Sequence, residues 1–145
     1  MPGDVIGVAG NLSRPSKTRA LVELMVDRIA AAHERTGRAF DPLDFGPSLG
    51  TASRATELPD ARRGLLEAIM AADVLVVASP VYKGSYTGLF KHVFDLIDAD
   101  ALTDKPVLLA ATGGGDRHAL VIEHQLRPPF GWPAPIGWSG TILNS

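Results

Sequence analysis

The sequence has 145 residues, enough for one domain with its own hydrophobic core. Hydrophobic residues make up 46% and charged residues 21%, which is typical of a globular protein and not of a disordered one. The net charge of -2 argues against a nucleic-acid binder or a polybasic membrane surface. There is no cysteine, no signal-peptide pattern and no apolar run of membrane-spanning length. We therefore expect a cytoplasmic protein with no nucleic-acid or membrane partner.

Short apolar runs in the sequence predict the strands of a parallel sheet. The three strongest runs are continuous instead of alternating, as in strands that are buried on both faces. They cover residues 5–9, 74–78 and 107–111. Weaker signals predict an edge strand over 39–44 and a short strand over 140–143. Helical patterns over 18–32, 60–72 and 85–98 alternate with the strands, which is typical of a doubly wound α/β fold.

Two of the helical patterns predict which side chains face the core. The first helix places Leu21, Leu24, Met25 and Ile29 on one face. The third helix has an apolar arc wider than one sheet contact requires. This arc contains Leu89, Phe90, Val93, Phe94, Leu96 and Ile97. A homodimer interface would explain the extra width, and so would packing against a neighbouring helix or long loop.

The loop after the first strand has the residue types that bind a terminal phosphate. It offers hydroxyl groups, positive charge and the free N–H groups of a helix start. The candidate residues are Ser13, Arg14, Ser16, Lys17 and Thr18. Capping of the helix by Ser16 is the simpler alternative, but it explains only one of the three hydroxyls and neither cation. The spacing matches neither a P-loop nor a dinucleotide fingerprint, so a monophosphate such as flavin mononucleotide (FMN) fits best.

Two further loops follow the other strong strands and suit a flat ring. Residues 79–88 combine a proline, an aromatic side chain and two glycines, although an ordinary strand-to-helix turn would contain similar residues. Residues 112–118 include three consecutive glycines, which allow backbone N–H groups to lie against the edge of a flavin. The candidate residues are Pro80, Val81, Tyr82, Lys83, Gly84, Ser85, Thr112, Gly113, Gly114 and Gly115.

Three stretches in combination resemble the NADPH-dependent FMN reductase family. They are SPVYKGSYTG at 79–88, KPVLLAATGGG at 105–115 and HALVIEHQLRP at 118–128. The sequence is most similar to reductases that feed two-component sulfonate monooxygenases, and the resemblance extends over about residues 5–127. It implies a flavodoxin-like fold, a three-layer α/β sandwich with the parallel strand order 2-1-3-4-5.

The resemblance also implies the chemistry and the partners. FMN would be the cofactor or substrate, NADPH or NADH the electron donor, and the protein a homodimer or homotetramer. Residues 13–18 would hold the phosphate, 80–85 would line the ribityl chain and ring, and 112–115 the pyrimidine edge. His124 falls where some members carry a tyrosine that helps to govern flavin exchange. No side chain is expected to act as a catalytic acid or base, because the cofactor carries the chemistry.

These expectations describe an enzyme that reduces FMN with NAD(P)H and supplies reduced flavin to a partner monooxygenase. An FMN-bound quinone or azo reductase is one alternative. A flavodoxin-like electron carrier is another, although such carriers are usually more acidic than -2. The four histidines are expected to be structural or solvated, with no metal site.

The end of the sequence departs from the family pattern. We expect a flavodoxin-like FMN-binding domain over residues 1–127 and an atypical uncharged tail over 128–145. The tail contains four prolines and both tryptophans, and its prolines at 128, 129, 133 and 135 predict no regular helix there. A truncated or frame-shifted end and an unusual natural tail both remain open. Either would remove a sheet edge and helix cover, and an inactive remnant is therefore a further alternative.

Overall fold

A five-stranded parallel sheet forms the centre of the fold. The computed structural model describes residues 3–115, 118, 120–130 and 139–144. The strands are β1 (Val5–Ala9), β2 (Gly37–Phe40), β3 (Val74–Pro80), β4 (Val107–Gly113) and β5 (Ser139–Asn144). Their order is β2-β1-β3-β4-β5, and every neighbouring pair is parallel. The predicted flavodoxin-like order is confirmed. The weak signal near the C-terminus forms its fifth strand, so the expected loss of a sheet edge is wrong.

Helices and short turns connect the strands. The helices are α1 (Lys17–Ala32), α2 (Asp60–Ala71), α3 (Gly88–Asp95) and α4 (Arg127–Phe130), the last of which directly follows a π-helical segment (Ile122–Leu126). Three 3₁₀ turns (Pro42–Phe45, Pro47–Thr51 and Ala55–Glu57) occupy the chain between β2 and α2. Within the described residues, no helix has the length and hydrophobicity needed to span a membrane.

The sheet has a hydrophobic core on each face, which explains the continuous apolar runs. Alternate strand residues point to opposite faces. Ile6 and Leu75 belong to the larger core, with α2, α3 and Phe130, whereas Val5 and Val76 belong to the smaller core beneath α1. Both faces of β1 and β3 are therefore covered, and the alternation of polar and apolar residues that marks a half-exposed strand is missing from them.

The buried face of α1 differs from the predicted one. The structure buries Thr18, Val22, Val26 and Ala30, while Leu21, Met25 and Ile29 are only partly buried. Leu24 is 51% exposed, so its prediction as a core residue is wrong. The reason is a close approach at Gly7 of β1, where a Cβ atom would lie 2.3 Å from Cγ1 of Val22. Because the helix lies so near the sheet, small side chains fit beneath it and larger ones flank the contact.

The wide apolar arc of α3 is covered mainly by other parts of the same chain. The helix is shorter than predicted, because it begins at Gly88 and ends at Asp95. The Phe94 ring packs edge-on against Phe90 at 5.1 Å and Phe130 at 4.8 Å between centroids. Leu89 remains 37% exposed. The neighbouring segments thus account for most of the arc, and the homodimer interface stays a prediction.

The two adjacent prolines were predicted to exclude a helix, but they lie in helical backbone. Pro128 and Pro129 lie inside the single turn of α4, so the prediction was wrong for these two residues. The preceding π-helical segment has a wider hydrogen-bond spacing, which lets the chain enter this turn without the usual clash. The prolines at 133 and 135 lie outside the described residues.

Candidate functional site

The three predicted ligand loops meet at Thr112, where β4 approaches its end. The Thr112 hydroxyl lies 2.6 Å from the Thr18 hydroxyl at the start of α1. The Thr112 carbonyl accepts a hydrogen bond from the Val81 N–H, with an N···O distance of 3.0 Å. These contacts bring one residue from each loop to the carboxyl edge of the sheet, where ligands of open α/β sheets bind.

Thr87 fixes the first loop to the second. Its hydroxyl donates to the Gly10 carbonyl at 2.7 Å and accepts from the Phe90 N–H at 3.3 Å, which caps α3. Its own N–H donates to the Ser79 hydroxyl at 3.0 Å. A Cβ atom on Gly10 would lie 2.7 Å from the Ser79 Oγ, so only glycine allows this approach. The two loops are therefore held in one arrangement by buried hydrogen bonds.

The predicted phosphate residues of the first loop divide into several roles. Ser16 caps α1 by accepting a hydrogen bond from the Arg19 N–H at 3.1 Å, which confirms the capping alternative. Ser13 and Lys17 are exposed, whereas Thr18 is buried. Arg14 is paired with two carboxylates, those of Asp41 and Asp44. The loop thus presents the helix start and Lys17 to solvent, and its contact with phosphate stays a prediction.

Asp41 is the buried charge beneath this loop, with no exposed surface. Burial raises the pKa of its carboxyl group, but hydrogen bonds from Arg14, Asn11 and Arg19 outweigh this effect and lower the pKa to about 2. The folded-state pKa is therefore below the ordinary value of about 3.9. It follows that the ionised carboxylate stabilises the fold above about pH 4, and that this contribution is lost as the pH falls towards 2.

The second loop forms a tight turn that presents an aromatic ring. The Tyr82 N–H donates to the Ser85 carbonyl at 2.9 Å and the Ser85 N–H donates to the Tyr82 carbonyl at 3.2 Å. Lys83 and Gly84 between them have φ angles of 53° and 79°, as in a two-residue turn with both central residues left-handed. Tyr82 is 49% exposed, so its ring is available to stack on a ligand.

The third loop leaves backbone open where a flavin edge is predicted. A Cβ atom on Gly113 would lie 2.9 Å from the His118 ring, so this glycine is needed for packing. At Gly114 and Gly115, no atom of the described residues, their chain neighbours aside, lies within 4 Å of the Cβ position. Together with the exposed helix start and the Tyr82 ring, this open backbone suits the phosphate, the ring face and the polar ring edge of FMN. The residues present therefore fit this cofactor.

Four residues that contribute to the site were not among those predicted: Asn11, Asp41, Thr87 and Gln125. The Gln125 Oε1 accepts a hydrogen bond from the Ser85 hydroxyl at 3.0 Å, which joins the π-helical segment to the second loop. Thr87 could have been found as a cap, since it directly precedes the apolar pattern of α3. Asp41 and Asp44 form a capping box three residues apart, a signal that is also visible in the sequence.

The histidines have no shared site in the described part of the chain. The His92 Nε2 lies 2.9 Å from the Leu49 carbonyl, a contact that joins α3 to the 3₁₀ turns. No three His, Asp or Glu side chains among the described residues are grouped so that they could hold a metal ion.

Comparison with known proteins places the chain in a family. The sequence profile described as NADPH-dependent FMN reductase matches residues 4–138. An NADH-dependent FMN reductase, SfnE, of Pseudomonas putida is 48% identical over 140 residues, which cover 94% of this chain and 75% of the relative. An FMN reductase (NADPH) of Pseudomonas aeruginosa is 46% identical with the same coverage.

A solved structure agrees with these relatives. The apo form of an NADH:FMN oxidoreductase (EMOB) superposes with a TM-score of 0.89 and 30% identity, over 98% of this chain and 75% of the other. The sequence relatives and the fold therefore lead to the same assignment. The chain belongs to the NADPH-dependent FMN reductase family.

Proposed function

We propose that the protein reduces FMN with NADPH or NADH and binds the flavin at the carboxyl edge of its sheet. The observation that carries the proposal is the meeting of the three loops at Thr112, which contacts both Thr18 and Val81. Family membership supplies the reaction class, and the open backbone beside Thr112 supplies a surface for the ring.

Each loop has a separate task in this proposal. The free N–H groups at the start of α1, with Lys17, bind the phosphate. Tyr82 stacks against the ring system, and the N–H groups of Gly114 and Gly115 face its polar edge. When held by these residues, FMN would supply the hydride-accepting chemistry, with the nicotinamide nucleotide as donor. The protein aligns the two rings, so no side chain is required as an acid or base.

The destination of the reduced flavin and the assembly are finer parts of the same proposal. We infer that reduced FMN leaves for a flavin-dependent monooxygenase of sulfonate metabolism, as the sequence resemblance implies. We also propose a homodimer or homotetramer and a cytoplasmic location, which a chain without cysteine fits. An enzyme that retains its FMN and reduces quinones or azo compounds is the alternative that the first experiment separates.

The test is NADPH and NADH oxidation by the purified protein, followed by absorbance with and without added FMN. We expect oxidation that depends on free FMN, from a protein that is nearly colourless when isolated. A folded protein that shows no oxidation with FMN would contradict the proposal. A yellow protein that turns over quinones or azo dyes without added FMN would favour the alternative. Binding of FMN without oxidation of either nucleotide would favour an electron carrier.

Thr112→Val tests whether the junction of the loops matters for flavin binding. The valine lacks the hydroxyl that pairs with Thr18, and one such hydrogen bond contributes about 0.5–1.5 kcal/mol. We expect FMN affinity to fall by up to about tenfold, measured by quenching of flavin fluorescence. Thr103→Val is the matched control, because Thr103 is exposed and lies in the turn before β4, away from the loops. Equal affinities in the two variants would count against the role of the junction.

A further inference from the structure

Beyond the Gly10 contact with Thr87, the loop between β1 and α1 is held by a buried carboxylate, that of Asp41. The Asp41 Oδ2 accepts from the Asn11 Nδ2 at 3.0 Å and from the Arg14 Nε at 2.9 Å. The Asp41 Oδ1 accepts from the Arg14 Nη2 at 2.7 Å. The Arg19 Nη1 lies 2.9 Å from the Asp41 Oδ2. Asp41 thus contacts the beginning of the loop, its middle and the first turn of α1.

The Asp41 carboxylate is also held by the backbone of the 3₁₀ turn that follows it. Its Oδ1 accepts from the backbone N–H groups of Leu43 at 3.0 Å and Asp44 at 3.3 Å. A buried charge is costly unless it is paired, and Asp41 is paired on every side by donors. The arrangement is therefore a rigid anchor and not a mobile surface ion pair.

Besides the contacts of Asp41, the middle of the loop is held by a hydrogen bond from the Asn11 Nδ2 to the Ser13 carbonyl at 3.2 Å and by the pair of Arg14 with Asp44. Leu12, Ser13, Arg14 and Pro15 are all exposed. An exposed segment of this kind loses conformational entropy when it closes on a ligand. An anchor that fixes the segment in advance reduces that cost and so raises affinity without touching the ligand.

We propose that Asp41 is a positioning residue, which holds the first loop in the shape that receives the phosphate group of FMN. In this arrangement Arg14 serves the anchor, and its charge is balanced by Asp41 and Asp44. Lys17 makes no ion pair with any described residue, and it is the loop cation that faces the phosphate. This inference rests on the proposed binding of FMN and assigns Arg14 a role different from the direct phosphate contact predicted from the sequence.

The experiment compares FMN with riboflavin, which has the same ring and no phosphate. Dissociation constants are measured by quenching of flavin fluorescence for the wild type, Asp41→Asn, Arg14→Ala and the double variant. We expect each single variant to weaken FMN binding by about tenfold, with riboflavin binding changed less than about twofold. The double variant is expected to match the single variants, because both substitutions break the same anchor. Asp95→Asn, which removes an exposed pair with Lys91, is the control.

Several results would overturn the inference. Equal losses of FMN and riboflavin would show that Asp41 supports the fold generally. Unchanged or tighter FMN binding in Asp41→Asn would show that the freed Arg14 serves the phosphate better than the anchor does. If Arg14→Ala still weakened FMN binding by its full amount in a protein that already carries Asp41→Asn, Arg14 would act on the phosphate independently of the anchor. Wild-type protein that is folded and binds no FMN would contradict the proposed function and this inference together.

A second measurement applies if Asp41→Asn does not fold, as judged by circular dichroism. Arg14→Ala changes a side chain that is 46% exposed, so it is expected to fold. If Arg14 contacted the phosphate directly, its removal would flatten the salt dependence of FMN binding, because an exposed ionic contact is screened by salt. We expect Arg14→Ala to weaken FMN binding without changing that salt dependence. A flattened dependence would overturn the inference.

Discussion

Thr87→Val is expected to lower the free energy of unfolding by about 2–4 kcal/mol and to weaken FMN binding. Valine keeps the shape of threonine but removes the hydroxyl, which leaves the Gly10 carbonyl and the Phe90 N–H without their partner. Each buried polar group left unpaired costs about 1–3 kcal/mol. Because the lost bond also joins the first two loops, the loops are expected to separate. Urea unfolding and flavin fluorescence measure the two effects.

Thr87→Ser is the matched control for this prediction. Serine keeps the hydroxyl and loses only one methyl group, which is worth about 0.8 kcal/mol when buried. We expect it to retain most of the stability and FMN affinity of the wild type. If Thr87→Val were as stable as Thr87→Ser, the hydroxyl would not be the link between the loops.

The architecture is predictable from the sequence because its strongest signals are local. β1, β3 and β4 are continuous apolar runs that need no knowledge of their neighbours, and the parallel order follows from the helices between them. The face of α1 is not predictable in this way, since Leu24 has the correct spacing for the core and is still exposed. Val22 and Val26 face Gly7 of the sheet, and Leu24 is two residues, or about 200° around the helix, from each of them, so it points away from the sheet.

In the site, too, features that depend on neighbouring residues are predictable, and contacts between residues distant in sequence are not. The loops could be identified because each follows a strand and carries hydroxyls or glycines. The anchor at Asp41 could not, because the sequence shows only the capping box of Asp41 and Asp44. The contacts of Asp41 with Asn11, Arg14 and Arg19 exist only in the folded chain. The bond between Ser85 and Gln125 depends in the same way on residues that are distant in sequence. The assignment of individual residues to FMN remains a prediction.

Phe130→Ala is expected to destabilise the protein by about 3–5 kcal/mol, the usual cost of removing a buried phenylalanine. Phe130 is 2% exposed and packs against Phe90 and Phe94 of α3. Leu120→Ala, at a side chain that is 63% exposed, is the control and is expected to change stability by less than about 0.5 kcal/mol.

This comparison also tests the predicted domain boundary at residue 127. If residues 1–127 formed a self-sufficient domain, a ring beyond that boundary would contribute little, and Phe130→Ala would unfold at the same urea concentration as Leu120→Ala. The packing of Phe130 on α3 and the pairing of β5 with β4 favour the opposite result. Because α3 begins at the Thr87 cap beside the second loop, loss of the Phe130 ring is expected to reach the flavin site as well. FMN affinity measured at a urea concentration where the variant is still folded would detect that effect, and an unchanged affinity would confine the role of Phe130 to stability.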